Sequence, residues 1–275
     1  MTEKTFKTDR GDIRYWVNAF VPGRSTLVFL PGLTADHRLF DRQIEHFEPD
    51  WTVIVWDAPG HAASRPFTLD FALMDKAVWL HKLLTSEGVE RPVLIGQSMG
   101  GYVSQCIMER YPGYVAGFVS IDTAPIQKKY LTASELWIMK HTGMIYRPYP
   151  WKSLLKAGAN GCAETAYGRQ LMRDMMSIYS KDDYCKLVCH GYDILAAAIE
   201  ADLPYTVDCP ALLLCGEYDK AGYTKRYNLA WAKTAKLPLT MIPNAGHNSN
   251  TDQPQAVNDA IDSFLAEHGL SQSGS

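Results

Sequence analysis

The stretch Val93–Gln105, VLIGQSMGGYVSQ, decides how the rest of the chain is read. It begins as an apolar, strand-forming run, crowds Gly96, Gly100 and Gly101 around Ser98, and then resumes with a different spacing of apolar residues. A buried strand that stops at Gly96, followed by a helix starting just after Ser98, predicts a hard turn with one hydroxyl at its tip. The flanking positions of such a turn must lack bulk so that strand and helix can approach closely. GQSMG also matches the pattern G-x-S-x-G. Alone the pattern is weak, and a glycine-rich βα loop without chemistry is the competing reading. The strand–turn–helix context gives it weight, and a helix N-terminus beside Ser98 favours developing negative charge.

Outward from this point the chain alternates. DIRYWVNAF, TLVFLPG, WTVIVWDAPG, RPVLIG and VAGFVSID read as strands. Between them, DHRLFDRQIEHF places Leu39, Phe40, Ile44 and Phe47 at helical spacing, and DFALMDKAVWLHKLLTSEG is helical to a glycine stop. GYVSQCIMERYPG is a helix halted by Pro112-Gly113. Strands this apolar are buried on both faces, so the fold class is α/β, with a parallel sheet covered by helices on both sides. From Ala124 to about Leu203 only helical or irregular segments follow, rich in Trp, Tyr, Met and Lys. PALLLCGEYD and LPLTMIPNAGH then restore the strand signal, and QAVNDAIDSFLAEHG closes with an amphipathic helix. The expected division is a core of residues 1–124 and 206–275 with a helical insertion at 125–205. Seated at the strand ends, where open α/β sheets bind ligands, the insertion would form a lid.

A serine hydroxyl needs a base to attack, and the base needs an orienting partner. Of the eight histidines, His247 lies in the polar loop NAGHNSNTDQP, between the last strand and the last helix, which brings it to the sheet edge of Ser98. Asp219, in LLLCGEYDKAG, follows the preceding strand at the same edge. Asp122, ending FVSID, and Glu217 compete for the acid role, and Asp219 is favoured because it falls in the turn just past its strand. An oxyanion hole needs backbone N–H donors. Met99, after the serine, and Leu33, after Gly32 in the loop of TLVFLPG, are the candidates, with Thr34 or an otherwise exposed His37 along the same wall.

Composition narrows the remaining classes. A net charge of −3 and a pI near 6.2 give no electrostatic case for nucleic acid or an anionic membrane. No stretch has the apolar length of a membrane span, and the N-terminus MTEKTFKTDRGDIRYW lacks the apolar block of a signal peptide. A cytoplasmic protein is the expectation. The six cysteines form no CxxC pair. Cys185, Cys189 and His190 could place two thiols one turn apart as a metal site, but with no second ligand pair, idle thiols are the expectation. GLSQSGS is read as a frayed tail.

These residues resemble the α/β-hydrolase superfamily: FLPGL as the oxyanion loop, WDAPGHAAS, GQSMGG as the nucleophile elbow, GEYD and AGH. The chain order Ser98, Asp219, His247 is the order that fold uses for its triad. One departure is Ala62 in PGHAAS, where many relatives carry glycine. The resemblance implies an eight-stranded, mostly parallel sheet with a helical cap after the sixth strand. It also implies a Ser98–His247–Asp219 triad with no metal or organic cofactor. The implied activity is cleavage of an ester, lactone or thioester of a small to medium acyl substrate, the expected partner, by a monomer or homo-oligomer. C–C bond hydrolysis, perhydrolysis, a lyase reaction and a receptor with a retained triad stay open. A serine at the elbow argues against dehalogenase and epoxide hydrolase relatives, which use aspartate there. Aromatic and sulfur side chains of the insertion, Trp137, Met144 and Tyr146 among them, are candidates for the substrate pocket.

Overall fold

The computed structural model describes residues 1–20 and 24–270, so 271–275 of the predicted tail lie outside the described residues. Eight strands run in chain order as β1 (Thr2–Lys7), β2 (Asp12–Val17), β3 (Thr26–Leu30), β4 (Thr52–Trp56), β5 (Val93–Gln97), β6 (Gly117–Ile121), β7 (Ala211–Gly216) and β8 (Leu239–Ile242). They form one sheet of order β1-β2-β4-β3-β5-β6-β7-β8. β2 runs antiparallel to both its neighbours, and every pair from β4 to β8 is parallel. Every residue of β3 to β7 is buried, because helices cover both faces. This is why these strands read as continuous apolar runs.

Side chains alternate across the sheet. Val28, Ile54, Leu94 and Phe118 enter one core with α2 (Leu73–Ser86) and α3 (Met99–Arg110). Phe29, Val55, Ile95 and Val119 enter the other, with α1 (Asp41–Phe47) and α10 (Pro254–Glu267). Each such side chain contributes roughly 1.5–3 kcal/mol on burial. β1 escapes the pattern reading: TEKTFK is a polar edge strand with only intermediate or exposed positions. The register of the parallel strands is set by these two cores, and it brings all their C-terminal ends to one edge.

Between β6 and β7 the chain holds α4 (Ala133–Tyr146), α5 (Trp151–Cys162), α6 (Ala166–Ser177) and α7 (Lys181–Ala201), with no strand among them. α4 packs on α7 and α5 on α6. After β7 come α8 (Thr224–Ala235), then β8, the short α9 (Ser249–Asp252) and α10. Among the described residues no helix is long and apolar enough to cross a membrane.

Candidate active site

The turn at Ser98 is as tight as the glycines imply. Ser98 has φ +49° and ψ −117°, a conformation that costs an L-residue about 1–3 kcal/mol. Its surroundings enforce it. The Ser98 N–H donates to Ile121 O at 2.9 Å, and Ser98 O accepts from Gly101 N at 3.0 Å and from the Thr123 hydroxyl at 2.9 Å. A Cβ on Gly100 would stand 1.8 Å from Leu30 O, and one on Gly96 2.4 Å from Gly101 N. Close approach of β5, α3 and β3 therefore depends on bare backbone at these two positions.

The loop after β8 brings His247 onto the serine. Its Nε2 lies 2.9 Å from Ser98 Oγ, and its Nδ1 lies 3.1 and 3.0 Å from the two oxygens of Asp219. A carboxylate only accepts, so Nδ1 carries the proton and Nε2 is left to accept from the serine. Burial alone would lower the imidazole pKa, but the charge and hydrogen bond of Asp219, with Asp122 behind, hold it above its ordinary value.

Residues that the sequence did not single out fix this loop. Gln97 Nε2 donates to His247 O at 2.8 Å. Buried Asp252 accepts from Gly246 N at 2.9 Å and from Glu164 N and Thr165 N, each at 2.8 Å. It thus ties the histidine loop to the helices between β6 and β7. Gln97 could have been found as the neighbour of Ser98 in the turn, whereas Asp252 has no local signal.

The rival acids are occupied elsewhere. Asp122 is buried at the end of β6 and accepts from Gly216 N at 2.7 Å and Ser249 N at 2.9 Å. Burial and the neighbouring Asp219 charge push its carboxyl upward. It clamps the backbone behind Asp219 and makes no hydrogen bond to the His247 ring among the described contacts. Glu217 caps Asn244 N at 3.1 Å. His37 turns away to Asp57 at 2.9 Å and stacks on Trp16 at 3.7 Å, so Thr34 and not His37 lies on the cavity wall.

Ser98 and His247 open into a cavity of about 480 Å³, lined also by Leu33, Thr34, Met99 and Tyr146. The Leu33 loop is close: a Cβ on Gly32 would lie 3.0 Å from Ser98 Cβ and 2.3 Å from Gln97 Oε1. Neither the Leu33 nor the Met99 backbone N–H has an acceptor within the protein among the described residues. Trp137 and Met144 do not join the cavity. They are 62% and 64% exposed, because α4 turns Glu135, Met139, Thr142 and Tyr146 inward. Positions 137 and 144, seven residues apart, share the opposite face. Tyr102, Tyr192 and Tyr227 line the cavity and were not predicted.

Among the described residues, two groups of side chains have metal-ligand spacing: Asp36 with His37 and Asp57, and Asp122 with Cys215 and Asp219. Their carboxylates already serve internal partners. Asp36 takes Arg38 with both oxygens at 2.9 and 2.7 Å, and Asp57 accepts from His37 and Ala63 N. α7 does place Cys185 and Cys189 one turn apart. His190, however, packs on the Phe71 ring at 4.5 Å, and the three are not among the groups with ligand spacing in the described residues.

The chain is 24% identical over 255 residues to a Klebsiella pneumoniae 2-succinyl-6-hydroxy-2,4-cyclohexadiene-1-carboxylate synthase, covering 89% of this chain and 95% of that one. It is 24% identical over 246 residues to an Acinetobacter baylyi (E)-2-((N-methylformamido)methylene)succinate hydrolase, covering 87% and 89%. A thermophilic esterase structure from Thermogutta terrifontis superposes with a TM-score of 0.74 at 22% identity, over 98% of this chain and 99% of that one. The sequence model described as the alpha/beta hydrolase fold matches residues 25–254, and on that match the chain belongs to the α/β-hydrolase family.

Proposed function

We propose that this protein is a serine hydrolase that cleaves an ester-type bond, in a carboxylic ester, lactone or thioester, through an acyl-enzyme. The observation that carries the reading is the relay from Asp219 through His247 to Ser98 Oγ, at 3.0 and 2.9 Å, opening on the cavity. His247 removes the serine proton as Oγ attacks the substrate carbonyl, and Asp219 holds the ring and stabilises its cation. The Leu33 and Met99 N–H groups donate to the oxyanion of the tetrahedral intermediate, each worth about 3–4 kcal/mol of barrier in comparable sites. His247 then delivers its proton to the leaving group and activates the water that releases the acid. Helices α4–α7 act as the lid whose inner face shapes the acyl pocket.

The test is labelling by a fluorophosphonate combined with turnover of short 4-nitrophenyl esters. Wild type should label at Ser98 and turn over repeatedly, and Ser98→Ala should do neither. Equal activity of the two proteins would overturn the assignment. The synthase named among the relatives favours one further reading, a lyase-type reaction at the same three residues. Product analysis separates them, because hydrolysis releases one carboxylic acid per turnover and a lyase does not.

A further inference from the structure

The charges around the cavity are paired before any substrate enters. Glu135, at the start of α4, faces the cavity. One of its oxygens takes the Arg226 guanidinium, and the other accepts from Thr132 N at 2.8 Å. Burial alone would raise the Glu135 carboxyl, but hydrogen bonds from Thr132, Arg226 and Tyr227 hold it down at about 2. Arg226 in turn lies over the rings of Tyr223 and Tyr227, at 4.6 and 4.9 Å, and both rings line the cavity. Lys220, at the rim and 72% exposed, shares Glu164 with Arg169, at 3.3 and 3.1 Å.

Deeper in the cavity the polar groups are tyrosine hydroxyls. Tyr102, Tyr146, Tyr184 and Tyr192 all line it, and burial raises the pKa of each, so all four stay neutral phenols. The remaining wall includes Met139, Leu154, Met172 and Val188. A carboxylate on an acyl chain would leave water here beside an anionic Glu135, and the lining Lys220 stands at the exposed rim, held to Glu164. A neutral chain would lose nothing polar and would bury its carbons.

We propose that Glu135 is a specificity-determining residue: an anion on the cavity wall, paired with the half-exposed Arg226 outside the lining, that restricts the acyl-enzyme to neutral, apolar acyl groups. The proposal rests on the serine-hydrolase reading above. Its test compares 4-nitrophenyl butanoate with 4-nitrophenyl hemisuccinate, which share a leaving group and differ by a terminal carboxylate. In wild type, kcat/KM should favour the butanoate by at least about 100-fold, since like charge and an unpaired anion both oppose the hemisuccinate. Glu135→Gln keeps an acceptor for Thr132 N and leaves the guanidinium uncompensated, so the ratio should shrink by about tenfold or more. Arg226→Met, which removes the cation and keeps Glu135, should preserve or widen the ratio, and it carries the test if Glu135→Gln does not fold.

Wild-type turnover that is indifferent to the carboxylate, or that prefers the hemisuccinate, overturns the proposal while leaving the hydrolase reading intact. An unchanged ratio in Glu135→Gln, or a narrowed one in Arg226→Met, removes Glu135 from the role. Failure of both esters together with no fluorophosphonate on Ser98 overturns the hydrolase reading, and the specificity proposal with it.

Discussion

Replacing Gly100 by alanine probes the turn at its tightest point. In an exposed helix the change stabilises by about 1 kcal/mol. In α3 the added Cβ would stand 1.8 Å from the Leu30 carbonyl oxygen and 2.5 Å from its carbon. A carbon–oxygen contact ordinarily needs about 3.3 Å, so α3 and β3 would have to separate by roughly 1.5 Å. Leu30 cannot yield freely, because it pairs with Gly96 in the β3–β5 ladder, beside Phe29 and Ile95. Overpacking of this kind costs about 1–3 kcal/mol, and more where backbone must move. With the backbone forced to move, the cost lies at the upper end, so net of the helix gain Gly100→Ala should lose about 2 kcal/mol, a fall in Tm of roughly 4–8 °C. Leu30 also lies two residues before Gly32, so the shift carries the Leu33 N–H away from the serine, and a misplacement near 1 Å can cost about 100-fold in rate. Gly161→Ala in α5 is the matched control for stability alone, since Gly161 lines the cavity. Nothing lies within 4 Å of its Cβ, so it should gain up to about 1 kcal/mol. Urea unfolding followed by tryptophan fluorescence, with ester turnover per folded molecule, reads both effects. A Gly100→Ala protein with the wild-type midpoint and full turnover would refute the packing argument.

Asp219→Asn should lose about 10³–10⁴ in kcat, because an amide cannot hold the Nδ1–H tautomer. Asp122→Asn should instead lose about 1–3 kcal/mol of stability, through its contacts with Gly216 N and Ser249 N. Initial rates beside urea midpoints distinguish the two, and an exchange of these outcomes would exchange the roles. The acid limb of kcat/KM should lie above 6.5, since Asp219 and Asp122 favour the His247 cation and activity falls as pH drops through the folded pKa. Asp219→Asn should move the limb down. The same raised pKa stabilises the fold below the unfolded value, and that contribution disappears as pH rises through the folded one. Lys76 is buried with its ammonium 5.7 Å from the Phe71 ring centroid, and burial pushes its pKa down to about 8. Lys76→Met should therefore raise stability by about 1–3 kcal/mol at neutral pH. In melting curves that gain should shrink as pH climbs from 8 toward 10.5, where the lysine of the unfolded chain also loses its proton.

The order of strands and helices could be read because β3 to β7 are buried on both faces, which forces nearly unbroken apolar runs. β1 could not, since an edge strand that alternates polar residues in TEKTFK carries no such run. Ser98, His247 and Asp219 were legible from their places after three strands. Asp122 occupies an equivalent place, and only its capture by Gly216 N and Ser249 N takes it out of contention. The inner face of α4 was illegible because apolar residues surround that helix: Tyr146 turns inward, while Trp137 and Met144 face out. Glu135 carries no local signal beyond that of a helix start, and its partner Arg226 lies 91 positions away.

What the sequence determined by itself is local or periodic: the alternation that makes a doubly covered parallel sheet, the glycines that allow the turn at Ser98, and the strand ends that carry Asp219 and His247. These follow from backbone sterics and from burial pattern, which neighbouring residues encode. The tertiary structure alone decided which acid reaches His247, which backbone N–H groups are left without acceptors beside Ser98, and which charges cancel around the cavity. Those depend on distances of a few ångströms between residues far apart in the chain, and both hydrogen bonding and Coulomb attraction change steeply over such distances.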